Sequence, residues 1–544
     1  MSAGPLIVQS DKTALLEVDH PEAENARHDL AIFAELERAP EHIHTYRISR
    51  LGLWNARAAG HDSDFVLGVL DRYSKFPVPA GVRVDIADTM SRYGRLTIER
   101  DDSGQLILKS DSTAILTEAS RQRKIAELLE GPAGTNAFFI RPFARGQVKQ
   151  ELLKLGWPAE DFAGYTPGTP HSINLDESGW GMRDYQRQAV DKFWEGGSGV
   201  VVLPCGAGKT IVGAAAMSVA KTNTLILVTN TVSARQWKSE LIKRTSLTED
   251  EIGEYSGSNK EIKPVTIATY QILTTKRKSE FAHLALLDAN DWGLVVYDEV
   301  HLLPAPIFKM TADLQARRRL GLTATLVRED GKEGDVFSLI GPKRFDAPWK
   351  DIEAQGYIAP AQCFEVRVDL PESERFEYAI ANQDERYRIA ATSPVKISVI
   401  SKLLERHLGE PTLIIGQYLD QIDTVATALG VPKITGDTAI EERERLFEEF
   451  RQGTTPTLVV SKVANFSVDL PEASVAIQIS GSFGSRQEEA QRLGRLLRPK
   501  ADGRSASFYT LISRDTVDQD FAQNRQRFLA EQGYSYQILD ATHL

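Results

Sequence analysis

Residues 199–220 read GVVVLPCGAGKTIVGAAAMSVA, and this stretch decides the fold. It opens on a short β-branched run with no polar face, the composition of a strand covered on both sides in a parallel sheet. It closes on an alanine-rich segment that is a good helix former. Between them Leu203, Pro204, Cys205, Gly206, Ala207, Gly208, Lys209 and Thr210 make a glycine-bearing turn from strand to helix. Glycines let backbone N–H groups close around phosphates, and the helix N-terminus adds partial positive charge. Lys209 is then the group that neutralises terminal phosphates and Thr210 the hydroxyl that ligates Mg2+, so the turn predicts ATP with magnesium. Leu203 stands where the strict pattern has glycine, but the Gly206 to Thr210 end that wraps the β-phosphate is intact.

Working outward, GVVVLP, TLILVT, VTIAT, LVVYDE and RLGLTAT alternate with amphipathic helices, the pattern of a parallel α/β sheet. A second series follows in TLIIG, PKITG, TLVVS, VAIQIS and ASFYTLI. The expected fold class is therefore α/β, with two tandem parallel-sheet lobes (182–345 and 346–544) and a cleft between them. Residues 371–394 break the rhythm with a charged helical stretch and read as an insertion. Upstream, Pro, Gly and Ser mark residues 164–181 as a linker. Residues 1–163 mix helical stretches (HDLAIFAELERA, SDFVLGVLDRYSKF) with strand-like runs (RLTIERD, QLILKSD), and divide into accessory α+β units at 1–60 and 61–163.

The strand LVVYD delivers Asp298 and Glu299 to the nucleotide edge. Asp298 is placed to hold magnesium, and Glu299 to orient or deprotonate the attacking water. His301 would face the lobe interface and sense bound phosphate. Thr323 and Thr325 end the next strand as a hydroxyl relay to the second lobe. In MRDYQRQAV, just before the P-loop strand, Gln186 is an adenine-edge donor and acceptor, with Arg183 beside it on the nucleotide side. Asp469 lies in a loop of the second lobe, where it would contact the ribose or help close the cleft. Gln491 to Arg498 then places Arg492, Arg495 and Arg498 on one short helical segment. Read alone this is a solvated basic helix end; after a P-loop it is a source of guanidiniums for a transferring phosphoryl group.

The loops Thr229 to Trp237 and Thr269 to Gln271 offer helix N-termini, hydroxyls (Thr269 among them) and Arg235 to a phosphate backbone. Trp237 reads as core rather than a stacking platform, and Arg317, Arg318 and Arg319 as a solvated strand entrance rather than a nucleic-acid patch. At 544 residues, with 42% hydrophobic and 26% charged residues, several ordinary globular domains are expected. A net charge of -11 argues against whole-surface attraction to nucleic acid but not against a lined groove. Two cysteines, no secretory pattern at the start and no long apolar run point to a cytoplasmic, membrane-free protein, expected as a monomer.

The order Gln186, LPCGAGKT, DEVH, LTATLVRED, SVDLP and QRLGRLLR resembles the superfamily-two helicases and, more specifically, the XPB family of DNA helicases. EHIHTYRISRLGLWNA near the start and QRFLAEQGYSYQIL near the end are similar to that family too, so the resemblance covers nearly the whole chain, in a compact prokaryotic form. It implies ATP-dependent 3′ to 5′ translocation and unwinding of DNA in a nucleotide-excision type of repair, with a nuclease as partner in prokaryotes. By motif match Arg495 and Arg498 become arginine fingers, and Arg492 pairs with the DEVH carboxylates. Arg328, Glu329 and Asp330 match a strand-separating motif, residues 371–394 a thumb that grips DNA, and a distortion-sensing domain would lie within 61–150. Three alternatives are weighed on the residues: a duplex translocase without strand separation, RNA as the track, and a DNA-binding repair scaffold with a vestigial ATPase, against which intact Lys209, Glu299, Arg495 and Arg498 argue.

Overall fold

A computed structural model describes residues 4–39, 42–204, 206–257, 259–277, 280–281, 283–287, 289–304, 314–324, 333–347, 349–355, 361–461, 473–481, 505–531, 534 and 536–544. Four sheets carry the architecture, together with one short two-stranded ribbon. The first is antiparallel, in the order Leu6–Val8, Thr13–Glu17, Ile43–Arg47, Glu35–Arg38. Helices Ala23–Leu30, Arg50–Ala58, Ser63–Tyr73 and Ala80–Ser91 share its apolar core, which runs from Leu6 to Met90. The helix expected across residues 28–39 ends at Leu30, and Glu35–Arg38 is a strand instead. Ile43–Arg47 offers that segment a ladder partner, and tertiary pairing overrides its helical composition.

A second core, from Leu96 to Ala163, fills a five-stranded sheet backed by helix Arg145–Leu155. The two cores part between Met90 and Leu96, so the boundary expected at residue 60 falls inside one packed unit.

The two larger sheets are parallel throughout and have seven strands each. The first runs Ile252–Tyr255, Val265–Thr269, Thr224–Val228, Leu294–Asp298, Arg318–Thr323, Gly199–Val202, Lys343–Asp346. The second runs Lys433–Ile434, Thr457–Ser461, Thr412–Gly416, Val475–Gln478, Ala506–Ser513, Ala361–Val368, Tyr536–Asp540. All ten strands anticipated from their apolar runs are present. The charged edge strands Lys343–Asp346 and Tyr536–Asp540 escaped because a strand covered on one side carries no continuous apolar run.

The stretch 371–394 folds as two helices, Glu372–Ile380 and Gln383–Thr392, separated by an Asn382 cap whose side chain accepts from Glu385 N–H at 3.0 Å. Its arginines are engaged within the chain. Arg375 donates to Leu370 C=O (2.9 Å), Arg386 to Ala379 C=O (2.9 Å), and Arg388 pairs with Asp420 at 2.6 Å.

The solvated entrance expected at Arg317 to Arg319 is also corrected. Arg319 is 1% exposed and donates to the carbonyls of Leu339 (2.8 Å), Gln315 (2.8 Å) and Arg317. Arg318 lies over the Trp194 ring at 4.0 Å. Among the described residues no helix is long and apolar enough to cross a membrane.

Candidate functional site

Three neighbouring strands of the first parallel sheet end at one edge. Val202 is in register with Thr323 on the adjacent strand, and Leu322 with Asp298 on the next. Continuing past those positions, the chain brings the P-loop, Thr323 and the Asp298–Glu299 pair to the carboxyl ends of the strands, where open α/β sheets bind ligands.

The P-loop backbone needs its glycines. Gly206 and Gly208 have φ of 82° and 84°, a region that disfavours any residue with a Cβ. A Cβ on Gly208 would also stand 2.4 Å from Gln186 Nε2. Helix Lys209–Ala220 starts immediately afterwards and aims its N-terminus at the loop. Behind it, Tyr185 Oη and Gln186 Nε2 both donate to the Ala207 carbonyl, at 2.7 and 2.9 Å, and Gln186 Oε1 accepts the Arg183 backbone N–H at 2.9 Å. Gln186 is 1% exposed, and its amide braces the loop. The Arg183 guanidinium is turned onto Tyr185 Oη at 2.9 Å.

In front of the loop lies a charge cluster. Lys209 Nζ is 2.8 Å from Glu299 Oε1, and Glu299 Oε2 is 3.5 Å from His301 Nδ1. That same His301 nitrogen is 2.5 Å from Thr323 Oγ1, and the Thr323 carbonyl accepts the Leu203 N–H at 2.9 Å. Thus His301 and Thr323 join the carboxylate strand to the P-loop strand within the first lobe. Glu299 sits in the left-handed region at φ 49°, a conformation costing about 1–3 kcal/mol that surrounding contacts must hold in place.

The two carboxylates differ in state. Burial, reinforced by the adjacent Glu299 charge, pushes the Asp298 carboxyl up to about 6. Burial also raises Glu299, but the Lys209 ammonium, and then His301, outweigh it and hold Glu299 below the usual carboxylate range. Two buried acids beside a single lysine make a site short of positive charge, which suits a divalent cation. Asp298 and Thr210, in the first turn of the P-loop helix, are the donors that would hold Mg2+ there; when bound, it would neutralise phosphate charge.

The track-side expectations divide. Arg235 is exposed on helix Thr231–Arg244. Thr269 is 4% exposed and caps helix Tyr270–Thr274 by accepting the Ile272 N–H at 3.4 Å, so its hydroxyl is directed into the fold, not toward a backbone outside. Trp237 is core, as read, but its indole Nε1 also donates to Asp298 Oδ2 at 2.9 Å. Sequence reasoning missed that bond, and the Tyr270 Oη donation to the Asp298 carbonyl at 2.8 Å. Cys205, Thr325, Arg328, Glu329, Asp330, Asp469, Arg492, Arg495 and Arg498 lie outside the described residues.

Comparison with known proteins bears on this edge and its setting. Residues 352–543 match the family described as ERCC3/RAD25/XPB C-terminal helicase, residues 180–328 the type III restriction enzyme res subunit, and residues 6–131 a helicase conserved C-terminal domain. A Kineococcus radiotolerans protein named DNA 3'-5' helicase XPB is 68% identical over 541 residues, covering 99% of this chain and 97% of its own length. The chain belongs to the XPB family. An XPB relative of the same name in Mycobacterium tuberculosis is 63% identical across 100% of this chain and 99% of its own. In Saccharomyces cerevisiae the XPB/SSL2 helicase/translocase subunit of general transcription and DNA repair factor IIH is 31% identical over 99% of this chain and 72% of its own. The two seven-stranded parallel sheets are accordingly the tandem RecA-like lobes of an XPB-family protein.

Proposed function

We propose that this chain is an ATP-dependent 3′–5′ DNA helicase acting in nucleotide-excision type repair. The observation that carries the reading is the convergence of Lys209, Glu299, Asp298, His301 and Thr323 on one strand edge beside a glycine-built phosphate loop. The names of its XPB relatives support DNA as the track and the 3′–5′ polarity.

In this reading Lys209 leaves Glu299 for the terminal phosphates when ATP enters, and the freed Glu299 orients the attacking water. Thr210 and Asp298 hold Mg2+. Gln186 and Tyr185 keep the loop preformed. Pro204 through Gly208 supply backbone N–H groups and shape. Arg495 and Arg498 complete the charge stabilisation from the second lobe, Arg492 ties the lobes, and Asp469 contacts the ribose, so hydrolysis requires closure. Arg328, Glu329 and Asp330 separate strands, Arg235 contacts the backbone, and residues 371–394 form the thumb. The accessory units divide at residues 91–95, and DNA sensing falls within residues 61–150. The protein acts in the cytoplasm as a monomer, with a nuclease partner.

The test is ATPase stimulation by single-stranded DNA, duplex DNA and RNA, run beside unwinding of a 3′-tailed duplex and displacement of a triplex strand. Triplex displacement without unwinding would reassign the chain as a duplex translocase. DNA-stimulated hydrolysis unchanged in Lys209→Ala would refute the site.

A further inference from the structure

Asp298 is gripped from a direction that its role in the nucleotide site does not require. Its Oδ1 accepts the Glu299 N–H at 3.1 Å, a local bond, but its Oδ2 accepts from Trp237 Nε1 at 2.9 Å and its carbonyl from Tyr270 Oη at 2.8 Å. Both donors come from other elements, each with an exposed polar side chain on the expected track side: Arg235 on the Trp237 helix and Gln271 beside Tyr270. Trp237 is on helix Thr231–Arg244, which begins with exposed Thr231 and Val232 and also carries exposed Arg235. Tyr270 opens the helix directly after Thr269.

The helix geometry links the two faces. Arg235 and Trp237 are two residues apart, about 200° around the axis, so one faces out while the other faces in. Trp237 is 1% exposed, and a Cβ added to Gly213 in the P-loop helix would lie 2.4 Å from its ring. The indole is therefore wedged between the phosphate-loop helix and the magnesium-site carboxylate. The Asn230 side chain caps the same helix by accepting the Ser233 N–H at 2.9 Å, which stiffens the end nearest the track. A helix of 14 residues held in this way moves as a body, and the close-packed indole has no slack to absorb a shift.

We infer that Trp237 and Tyr270 are positioning residues that transmit contact with the nucleic-acid backbone to Asp298, and so set the alignment of the magnesium site by track occupancy. This rests on the function proposed above, for both the metal role of Asp298 and the track side of the helices. Neither residue touches substrate; each acts through the aspartate. By reciprocity, nucleotide with magnesium must change DNA affinity by the same factor that DNA changes nucleotide affinity.

The variants are Trp237→Phe and Tyr270→Phe, which delete one donor each and retain an aromatic ring, with Asp298→Asn as the control on the site. Affinity for a labelled 3′-tailed DNA is measured by anisotropy, with and without saturating magnesium and a non-hydrolysable ATP analogue; the magnesium concentration giving half-maximal hydrolysis is the second readout. The expected result is that each Phe variant keeps wild-type DNA affinity without nucleotide, while the nucleotide-induced change in affinity shrinks at least about fivefold toward unity. Half-saturation by magnesium rises several-fold. If Trp237→Phe melts early, Tyr270→Phe carries the test alone, because its ring stays and only a hydroxyl is lost. Wild-type coupling in a normally melting Phe variant overturns the inference. Full hydrolysis in Asp298→Asn instead overturns the site reading beneath it, so the two failures are distinct.

Discussion

Replacing Glu299 with Gln should separate binding from turnover. The Lys209 ammonium pairs with Glu299 at 2.8 Å, with the two side chains only 11% and 18% exposed. ATP must compete with that carboxylate for the lysine. A hydrogen bond to a charged group contributes about 1.5–3 kcal/mol net, so neutralising Glu299 should tighten ATP binding by roughly ten- to a hundred-fold. The same change removes the group placed to orient or deprotonate water, and loss of general-base catalysis costs about 10²–10⁴ in rate. Glutamine keeps the left-handed backbone position and the side-chain length, so the 49° φ introduces no new penalty. The assay is equilibrium binding of a fluorescent ATP analogue alongside steady-state DNA-stimulated hydrolysis. Weaker ATP binding, or turnover within a few-fold of wild type, would refute the competition argument; an unfolded variant is excluded by an unchanged melting curve.

Three further outcomes follow from the packing. Arg319→Met should destabilise the first lobe by at least about 3 kcal/mol in urea, since several buried carbonyls lose their donor at about 1–3 kcal/mol each, while DNA affinity is retained; a nucleic-acid contact would give the reverse. Asp518→Asn strands the Lys396 ammonium, which it meets at 3.0 Å with both side chains 1% exposed, and should cost about 3–5 kcal/mol, whereas the Lys396→Met/Asp518→Leu pair should cost far less. His44 is held down to about 4 by burial and then by Arg27, so the folded state favours its neutral form. Its stabilisation is complete above the unfolded value near 6.5 and is lost as pH falls through 4, about 3 kcal/mol at about 1.36 kcal/mol per unit. His44→Phe should flatten that limb in pH-dependent melts of the 6–90 unit within the full chain; an unchanged slope between pH 4 and 6.5 would rule this out.

What could be read from the residues was what is local. A strand, a glycine turn and a helix lie within 22 consecutive positions at 199–220, and the chemistry of Lys209 with Glu299 follows from strand ends that repeat the same pattern. Long-range contacts left no such trace. The bracing of the P-loop by Gln186 became visible only when the fold put Ala207 C=O within 2.9 Å of its amide. Three consecutive arginines looked solvated because a charged run usually is. Only the strand start, crossed by the carbonyls of Leu314, Gln315 and Leu339, makes Arg319 a buried fastener. The division at residue 60 failed for the same reason, because helices Ser63–Tyr73 and Ala80–Ser91 bury Val66, Leu70, Val82 and Ile86 in a core shared with a sheet formed by residues before them.

The same distinction governs how the accessory units meet the lobes. The unit with its core at residues 6–90 takes Ala530 of the second lobe into that core and accepts Arg527 at the Leu36 carbonyl, whereas it meets the first lobe at Asn55, which accepts the Lys343 N–H at 2.9 Å. The neighbouring unit is fastened to the first lobe instead, with Gln150 donating to Asp335 at 2.8 Å and Leu153 lying 3.2 Å from a Cβ built on Gly334. An apolar burial is harder to release than a single neutral hydrogen bond of about 1 kcal/mol. The first unit is thus anchored more firmly to lobe two, through Ala530, than to lobe one, through Asn55, while the second unit is anchored to lobe one.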